Sequence, residues 1–342
     1  MKEKILVTGG TGYIGSHTVV ELQTAGYEVI VIDNLSNSTV DSLNGVASIT
    51  GITPAFEKID CCDKLALDGV FKKHQDIKAV IHFAASKAVG ESVEKPLLYY
   101  RNNLVSLLNV LECMTENKVP NFVFSSSATV YGQPEILPVT EDAPVQPATS
   151  PYGNTKQIAE EVIRDCTVAD ANLKSVILRY FNPVGAHPSA AIGELPNGIP
   201  NNLIPFVTQT AIGLRECLSV FGDDYNTPDG SAIRDYIYVV DLAKAHVIAV
   251  ERLLACANKT NPEIFNLGTG KGLSVLEILE VFEKATGVKV NRKIVARRTG
   301  DIEKVWADPS LANTELGWTA KTPTSEMLSS AWEWEKKLRD SR

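Results

Sequence analysis

The chain carries a tyrosine and a lysine, Tyr152 and Lys156, at a spacing that suits proton transfer. Residues four apart on a helix lie on one face, so the ammonium would stand one turn from the phenol. A free tyrosine has a pKa of about 10, and a nearby cation lowers that pKa because it stabilises the phenolate. Ser150 and Pro151 predict a helix that begins just before Tyr152, where the helix dipole also favours negative charge. The pair is a candidate general acid/base, although an ordinary solvated helix face would show the same spacing.

A glycine-rich turn near residue 10 predicts a dinucleotide site. An apolar run at residues 4–8 leads into Gly9, Gly12 and Gly15, and a helical pattern follows at about residues 16–25. In such a turn the first glycine allows a tight bend, the second admits a pyrophosphate, and the third lets the helix pack close to the strand. The helix N-terminus then presents free N–H groups to the phosphates.

The residue that ends the second predicted strand indicates which dinucleotide binds. This strand covers residues 28–32 and is followed by Asp33, 24 residues after Gly9. A carboxylate at this place bonds the adenosine ribose hydroxyls and repels a 2′-phosphate. The sequence therefore predicts NAD rather than NADP.

A run of hydroxyl residues follows another buried strand. Ser127 lies in this run, 25 residues before Tyr152, and its hydroxyl should emerge at the carboxyl edge of the sheet. A serine, a tyrosine and a lysine around a nicotinamide can hold and deprotonate a substrate hydroxyl while hydride leaves its carbon. Alone, the run would be a serine-rich turn; with the other two motifs it is a candidate catalytic segment.

Strand and helix patterns alternate along most of the chain. Several of the strands are almost continuously apolar, which is typical of strands buried on both faces. These patterns predict an α/β fold built on a doubly wound parallel sheet, Rossmann-like in its first turn. Beyond the first two, the predicted strands cover residues 55–59, 78–84, 121–126, 175–180 and 264–267.

Composition favours a cytoplasmic enzyme. A net charge of −8 argues against a nucleic-acid or anionic-membrane surface, and no apolar run approaches the ~20 residues of a membrane span. The chain goes from Met1 almost directly into a core strand, so we expect no signal peptide. The six cysteines show no C-x-x-C pair and should be reduced thiols. The five histidines show no metal-ligand spacing, so no metal site is predicted, and His82 should be structural.

A change in residue composition along the chain suggests two lobes. Glycine, proline and asparagine become frequent at residues 188–202 and 222–230, which indicates loops. We expect an NAD-binding lobe over residues 1–182, to which segments near 235–268 return, and a smaller substrate-binding lobe over residues 183–342.

Taken together, these motifs resemble the extended short-chain dehydrogenase/reductase family, and within it the UDP-glucose 4-epimerase family, almost from end to end. The strings that carry the resemblance are VTGGTGYIGSH at 7–17, DNL at 33–35, HFA at 82–84, KAVGES at 87–92, SSSATVYG at 125–132, RYFNPVGA at 179–186 and RDYI at 234–237.

The resemblance implies a reversible redox cycle on a UDP-hexose. Tyr152 as phenolate would take the proton from the sugar O4 while the C4 hydride passes to tightly held NAD. The resulting 4-keto sugar would rotate so that its other face receives the hydride, which interconverts UDP-glucose and UDP-galactose. Ser127 would hydrogen-bond O4, and Lys156 would tune Tyr152 and bond the nicotinamide ribose.

The same resemblance implies contact residues. Those for NAD are Gly9, Gly12, Tyr13, Ile14, Asp33, Asn34, Asn37, Ser38, Asp60, Cys61, Phe83, Ala84, Lys87, Asn102, Tyr152, Lys156 and Tyr180. Those for the UDP-sugar are Lys87, Ser127, Ala128, Thr129, Tyr152, Asn182, Asn202, Leu203, Phe221, Arg234, Arg298, Asp301 and Val305. Arg234 and Arg298 would supply cations to a diphosphate. Asn182 could instead shape a turn, and Phe221 could be a core residue.

Three positions depart from the family pattern. Cys61 replaces an aliphatic residue, and Ala85 replaces a glycine after Phe83 and Ala84. Val305 stands where relatives limit the size of the C2 substituent, and it is smaller than the tyrosine of some members. This suggests that UDP-N-acetylglucosamine and UDP-N-acetylgalactosamine are also accepted, since steric exclusion is the main effect that could refuse an N-acetyl group.

Three rival functions fit less well. A 4,6-dehydratase needs an added acid and base in the stretch that here reads Ala128 and Thr129, which can supply neither. A net reductase often prefers NADP, which Asp33 disfavours. A cofactor-sensing binding protein generally lacks the tyrosine and lysine that this chain retains.

A long apolar helix suggests a homodimer. The helical pattern at residues 96–118 carries more leucines than one face against a sheet requires. With the helix that begins near Tyr152 it could form a four-helix seam between two copies, and the resemblance implies a homodimer, since relatives are commonly homodimers. The alternative is a helix that is simply well buried.

Overall fold

The structure is a computed structural model that describes residues 2–298 and 301–340. The strands are β1 Lys4–Thr8, β2 Glu28–Ile32, β3 Ala55–Glu57, β4 Ile77–His82, β5 Asn121–Ser127, β6 Lys174–Tyr180, β7 Asn182–Val184, β8 Leu218–Phe221, β9 Ile233–Tyr238, β10 Glu263–Leu267, β11 Gly272–Ser274, β12 Arg292–Val295 and β13 Lys304–Val305. The helices are α1 Tyr13–Thr24, α2 Asp41–Thr50, α3 Lys64–Lys73, α4 Val89–Glu94, α5 Pro96–Glu116, α6 Pro151–Ala169, α7 Leu203–Ala211, α8 Val239–Leu254, α9 Val275–Thr286 and α10 Thr324–Asp340.

A seven-stranded parallel sheet forms the centre of the molecule, in the order β10-β6-β5-β4-β1-β2-β3. The chain winds outward in one direction through β2 and β3 and in the other through β4, β5 and β6. The switch between the two directions lies beside β1, where ligands bind in folds of this type. The predicted doubly wound α/β fold is confirmed.

Both faces of the sheet are covered by helices. Side chains alternate between faces along a strand, so Ile5 and Val7 join a core with α1, α2 and α8, whereas Leu6 joins a second core with α3, α5 and α6. This double burial explains why the strands are apolar at almost every position. Among the described helices none is long and apolar enough to cross a membrane.

A smaller group of elements follows the central sheet. β7, β9, β11 and β13 form a second sheet, and β8 pairs with β12. These strands pack with α7, α9 and α10 around a separate core that includes Ile204, Tyr236 and Phe282. β10 returns to the edge of the central sheet, and α8 packs on that sheet. We propose the lobe boundaries given above on this basis, and the division at residue 182 stays a prediction.

Several element boundaries differ by a few residues from the sequence prediction; β4, for example, covers Ile77–His82 rather than residues 78–84. α1 begins at Tyr13 rather than near residue 16, because Gly12 already accepts the first helical hydrogen bond, from Ser16 N at 2.9 Å. β3 ends at Glu57 rather than at residue 59, because its pairing with β2 stops at that point. His82 is buried and bonds the Thr8 hydroxyl at 2.8 Å, in agreement with its predicted structural role.

Candidate active site

The glycine turn between β1 and α1 leaves no room for side chains. Gly9 has φ +71°, and a Cβ there would lie 2.8 Å from the backbone nitrogen of Ala84. A Cβ on Gly15 would lie 2.2 Å from the carbonyl oxygen of Gly9. Gly12 precedes α1 and provides no side-chain cap for it. The first N–H groups of α1 can therefore serve an anion at this turn.

Asp33 lies at the carboxyl end of β2 and is buried. Its Oδ1 accepts hydrogen bonds from Leu35 N at 2.9 Å and from the Ser38 hydroxyl at 3.2 Å. Its Oδ2 accepts from Thr11 N at 3.3 Å, which ties the carboxylate to the glycine turn. The carboxylate is thus fixed beside the turn, where a ribose would approach it.

Every residue predicted to contact the cofactor lines a single cavity of about 1500 Å³ at the carboxyl edge of the central sheet. The cavity extends from Asp33 past the glycine turn to Tyr152 and Lys156. An uncapped helix N-terminus, side-chain-free backbone and a fixed carboxylate suit a dinucleotide, so the residues present fit NAD. The individual contacts stay predictions.

Tyr152 lies in the first turn of α6, as predicted. The Ser150 hydroxyl caps this helix by accepting from Gly153 N at 3.1 Å, and Pro151 is the first helical residue. The predicted direction of the tyrosine pKa is wrong for the ligand-free protein. Tyr152 is partly exposed where it lines the cavity, but loss of hydration raises the pKa of its phenol to about 12, and a hydrogen bond with Ser127 opposes this only in part.

Lys156 is close to Tyr152 but does not lower the pKa of the phenol in the ligand-free protein. Its ammonium donates to the backbone oxygen of Ser125 at 2.6 Å and lies 6.0 Å from the centre of the Tyr152 ring. The side chain is buried, which lowers the pKa of Lys156 to about 8, while the carboxylate of Glu160 raises it. Burial is thus the largest cause of both shifts: it raises the pKa of Tyr152 and lowers that of Lys156.

Ser127 ends β5 beside Tyr152. Its hydroxyl accepts from Thr129 N at 3.2 Å, and its interaction with the phenol of Tyr152 lowers the pKa of that phenol. Ala128 and Thr129 follow in a short 3-10 turn, and the Thr129 hydroxyl is buried without a partner among the described residues. The structure therefore brings Ser127, Tyr152 and Lys156 together at the end of the sheet.

The remaining predicted substrate residues lie in separate places. Lys87 and Asn202 line the cavity and both donate to Glu194 Oε1, at 3.4 Å and 2.6 Å. Leu203 begins α7 directly after Asn202, and Asn182 is exposed on β7. None of the predicted substrate residues except Lys87, Tyr152 and Asn202 lines this cavity.

A second group gathers around an exposed aromatic ring. The guanidinium of Arg298 lies 5.4 Å from the ring centre of Phe221 and bonds Asp301, with Nη2 to Oδ1 at 2.7 Å. Phe221 is 41% exposed, so it is not the core residue that the sequence left open. Arg234 on β9 donates to the carbonyl oxygens of Ile233 and Glu303.

Val305 lies opposite Arg234 in the pairing of β13 with β9. It is buried in a cluster with Tyr131 and Phe181, against which Ala128 also packs. Val305 thus adjoins the predicted sugar-contact segment, but it does not line the large cavity.

Of one further part of the cavity lining, sequence reasoning marked only Asn202. This part consists of residues 190–197 and 199–202 together with Trp334, Lys337 and Leu338 of α10. Trp334 Nε1 donates to the carbonyl oxygen of Glu194 at 2.9 Å, which holds the loop on the helix. No motif marks α10, and its amphipathic pattern is that of any surface helix.

Comparisons with known proteins give the family. A family described as GDP-mannose 4,6 dehydratase matches residues 6–331. "UDP-glucose 4-epimerase" of Mus musculus is 54% identical over 98% of this chain and 97% of its own length, and the Bacillus subtilis (strain 168) protein of that name is 54% identical over 97% and 96%. The chain belongs to the UDP-glucose 4-epimerase family. A solved structure of UDP-glucose 4-epimerase from Bifidobacterium longum in complex with NAD+ and UDP is 47% identical, covers 99% of this chain and 100% of its own, and superposes with a TM-score of 0.95.

Proposed function

We propose that this protein interconverts UDP-glucose and UDP-galactose with bound NAD. The observation that carries the proposal is the convergence of Ser127, Tyr152 and Lys156 beside a cavity that begins at the glycine turn and Asp33. Family membership, and the solved structure of a relative in complex with NAD+ and UDP, support the same reaction.

Three side chains carry out the proton chemistry. Ser127 holds the sugar O4 by a hydrogen bond and directs it toward Tyr152. Tyr152 removes the O4 proton on the way to a 4-keto sugar and returns it to the same oxygen after the sugar has turned. When bound, NAD supplies the hydride acceptor, later the donor, and through its cationic ring a charge that stabilises the phenolate.

The protonation state of the ligand-free site fits this order of events. Because burial holds the pKa of Tyr152 at about 12, the phenol is neutral at pH 7. The pKa of Lys156, lowered to about 8, leaves the ammonium mostly charged at that pH. Tyr152 can therefore act as a base only when a bound ligand brings positive charge close to the phenol and lowers its pKa.

We assign binding of NAD to the predicted cofactor residues of the cavity, and binding of the UDP-sugar to the predicted substrate residues, of which Lys87, Tyr152 and Asn202 also line that cavity. Lys87, Asn202 and the cluster around Arg298 and Phe221 offer donors and cations for phosphate oxygens. Ser127, Ala128 and Thr129 contact the sugar, since they follow β5 at the sheet edge that holds Tyr152. The partnerless Thr129 hydroxyl supports this assignment, because a buried hydroxyl is normally bonded.

The dehydratase named by the matching family is a weaker candidate for this chain. Elimination of water from C5 and C6 needs an added acid and base near the sugar. Ala128 and Thr129 carry no carboxyl group in the stretch that would hold them. Without that acid and base, the 4-keto sugar is not dehydrated. It is reduced again at C4, and Tyr152 returns the proton to O4, which completes epimerisation.

One assay tests the proposed function. The purified protein is incubated with each of the four UDP-hexoses, glucose, galactose and their N-acetyl forms, and the products are resolved by chromatography. The absorbance spectrum should show retained NAD that is partly reduced on addition of UDP-glucose. Interconversion of UDP-glucose and UDP-galactose is the expected result; no conversion of either, in NAD-loaded protein, would refute the proposal.

A finer proposal concerns the acetylated sugars. Val305 packs with Ala128 in the cluster next to the sugar-contact segment, and a valine leaves more space there than a tyrosine would. We propose that this space admits UDP-N-acetylglucosamine and UDP-N-acetylgalactosamine.

We also propose a homodimer. α5 and α6 pack together, and α5 exposes Leu97 by 80%, Leu98 by 49% and Leu108 by 45%. An apolar surface of this kind favours a partner, and a second copy of the helix pair would cover it. Light scattering at several protein concentrations should give twice the mass of one chain, and a single-chain mass at all of them would exclude the dimer.

The state of the cysteines indicates the cellular compartment of the protein. All six are free, including the exposed Cys256. Free thiols persist in a reducing compartment, so we propose a cytoplasmic location. Cell fractionation tests this proposal directly.

A further inference from the structure

A buried ion pair lies behind the candidate active site. Glu160 on α6 and Arg179 on β6 are 4% and 3% exposed, and neither lines the cavity. The guanidinium donates three hydrogen bonds to the carboxylate: Nε to Oε1 at 3.0 Å, Nε to Oε2 at 3.3 Å, and Nη2 to Oε2 at 2.6 Å. Taking two charges out of water costs several kcal/mol per ion, so a buried pair is weak evidence for stability. Stability alone does not account for its presence.

The ion pair holds both ends of the segment that carries Ser127. On one side, the Ser126 hydroxyl donates to Glu160 Oε1 at 2.5 Å. On the other side, Arg179 Nη1 donates to the Tyr131 hydroxyl at 2.9 Å. Ser127, Ala128 and Thr129 lie between these two anchors, and they cannot shift along β5 without breaking a bond to the pair.

Tyr131, the second of these anchors, is held by further contacts. The Tyr131 hydroxyl donates to Asn266 Oδ1 at 2.7 Å, and Arg179 lies 4.9 Å from the centre of the Tyr131 ring. Arg179 Nη1 also donates to the backbone oxygen of Glu141 at 3.2 Å. Arg179 is thus hydrogen-bonded to Glu160, Tyr131 and the Glu141 backbone at once, and a buried network with its partners satisfied favours a rigid arrangement.

The same ion pair is anchored in the helix that carries the other two catalytic candidates. Glu160 lies one turn after Lys156 and two turns after Tyr152 on α6. The helix is rigid over this distance, so the position of Glu160 sets the positions of the phenol and the ammonium. One network thus joins the helix of Tyr152 to the strand end of Ser127.

We propose that Glu160 and Arg179 are positioning residues for the reaction, which fix the Ser127 hydroxyl relative to Tyr152 and Lys156. The proposal rests on the proposed function for its catalytic readout. Neither residue touches the substrate; the pair acts through Ser126 and Tyr131. A misplacement of about 1 Å in such a group can cost on the order of a hundredfold in rate.

The test removes each anchor and leaves the ion pair intact. In the NAD-loaded protein, Ser126→Ala and Tyr131→Phe should each lower kcat about tenfold, because the Ser127 segment gains freedom. The KM for the UDP-hexose and the bound NAD content should stay within about twofold, because no ligand contact is lost. Ser126→Thr keeps the hydroxyl and should recover most of kcat.

Ser175→Ala is the matched control. Ser175 lies on β6 like Arg179 and is fully buried, but its hydroxyl has no partner among the described residues. Its removal changes the same chemical group in a neighbouring strand without touching the network. Its kcat, KM and melting temperature should match those of the original protein.

The results of these experiments either support or overturn the positioning role of Glu160 and Arg179. Unchanged kcat in folded, NAD-loaded Ser126→Ala and Tyr131→Phe overturns the proposal, and so does a lower melting temperature with kcat intact. If the original protein converts no UDP-hexose, the proposed function fails separately. Amide hydrogen exchange then decides the positioning role: faster exchange over residues 126–131 in Ser126→Ala but not in Ser175→Ala supports it, and equal exchange overturns it.

Discussion

The ammonium of Lys156 donates a 2.6 Å hydrogen bond to the backbone oxygen of Ser125, two residues before Ser127. Helix α6 is thereby joined to the end of β5 at the level of the candidate catalytic groups. The lysine is also buried, so it bears a desolvation cost that its neighbours only partly offset. Both features lead to a prediction about pH.

Lys156→Met should remove a rise in stability between pH 8 and 10. Burial lowers the pKa of Lys156 from 10.5 to about 8, so in this window the unfolded chain binds more protons than the folded one. Stability therefore rises with pH there and is lowest, for this group, below pH 8. Above pH 10 the raised pKa of Tyr152 acts in the opposite direction. Urea unfolding of both proteins from pH 7.5 to 9.5 measures the difference, and parallel curves would contradict the prediction.

Tyr152→Phe should abolish most activity while the fold and bound NAD are kept. The ring still fills its place, but the proposed general acid/base at the sugar O4 is lost, which should cost about 10²–10⁴-fold in kcat. Tyr27→Phe is the control, since Tyr27 does not line the cavity. Rates, NAD absorbance and melting temperature are compared for the two variants. Undiminished epimerisation by folded Tyr152→Phe would remove the tyrosine from the mechanism.

Gly15→Ala should destabilise the protein by about 1–3 kcal/mol, as overpacking does, and should also weaken NAD retention. Its Cβ would lie 2.2 Å from the Gly9 oxygen, so the turn must move. Gly69→Ala is the matched control within helix α3, where a Cβ meets nothing within 4 Å. This control should gain about 0.5–1 kcal/mol from the better helix propensity of alanine. Denaturant unfolding measures both, and equal effects of the two substitutions would argue against a closely packed turn.

Asp33→Asn should relax the preference for NAD over NADP. The buried carboxylate would meet a 2′-phosphate, and loss of its charge removes that repulsion. We expect the ratio of the two Kd values to change by about tenfold, which corresponds to 1.4 kcal/mol. Asp41→Asn is the control, because Asp41 also lines the cavity but is exposed. Calorimetric titration of cofactor-free protein gives both constants, and an unchanged ratio would show that Asp33 does not discriminate.

Val305→Tyr should lower turnover of the acetylated UDP-hexoses more than that of UDP-glucose. The larger side chain takes space from the cluster that contains Ala128. Val305→Ala enlarges the same space and should retain activity on the acetylated sugars. Initial rates on all four UDP-hexoses measure the effect. No turnover of either acetylated sugar by the unsubstituted protein would end this hypothesis.

Local sequence was sufficient for the central sheet and the main motifs. The strand β1 and the helix α6 begin where apolar runs and the Ser150–Pro151 cap place them, because these signals act over a few residues. The glycine spacing predicts the turn, because a Cβ on Gly15 would lie 2.2 Å from a backbone oxygen and only glycine has no Cβ. These features depend on chain geometry alone.

Tertiary structure decided the environment of those motifs. The pKa of Tyr152 rises instead of falling, because desolvation depends on every segment packed around the phenol and not on Lys156 alone. The carbonyl oxygen of Glu194 accepts a hydrogen bond from Trp334, which is 140 residues away in the sequence, and no local pattern predicts this contact. The sequence by itself determined which residue types stand at the sheet edge; their charge states and partners depend on distant segments, because burial and hydrogen bonding are set by neighbours in space.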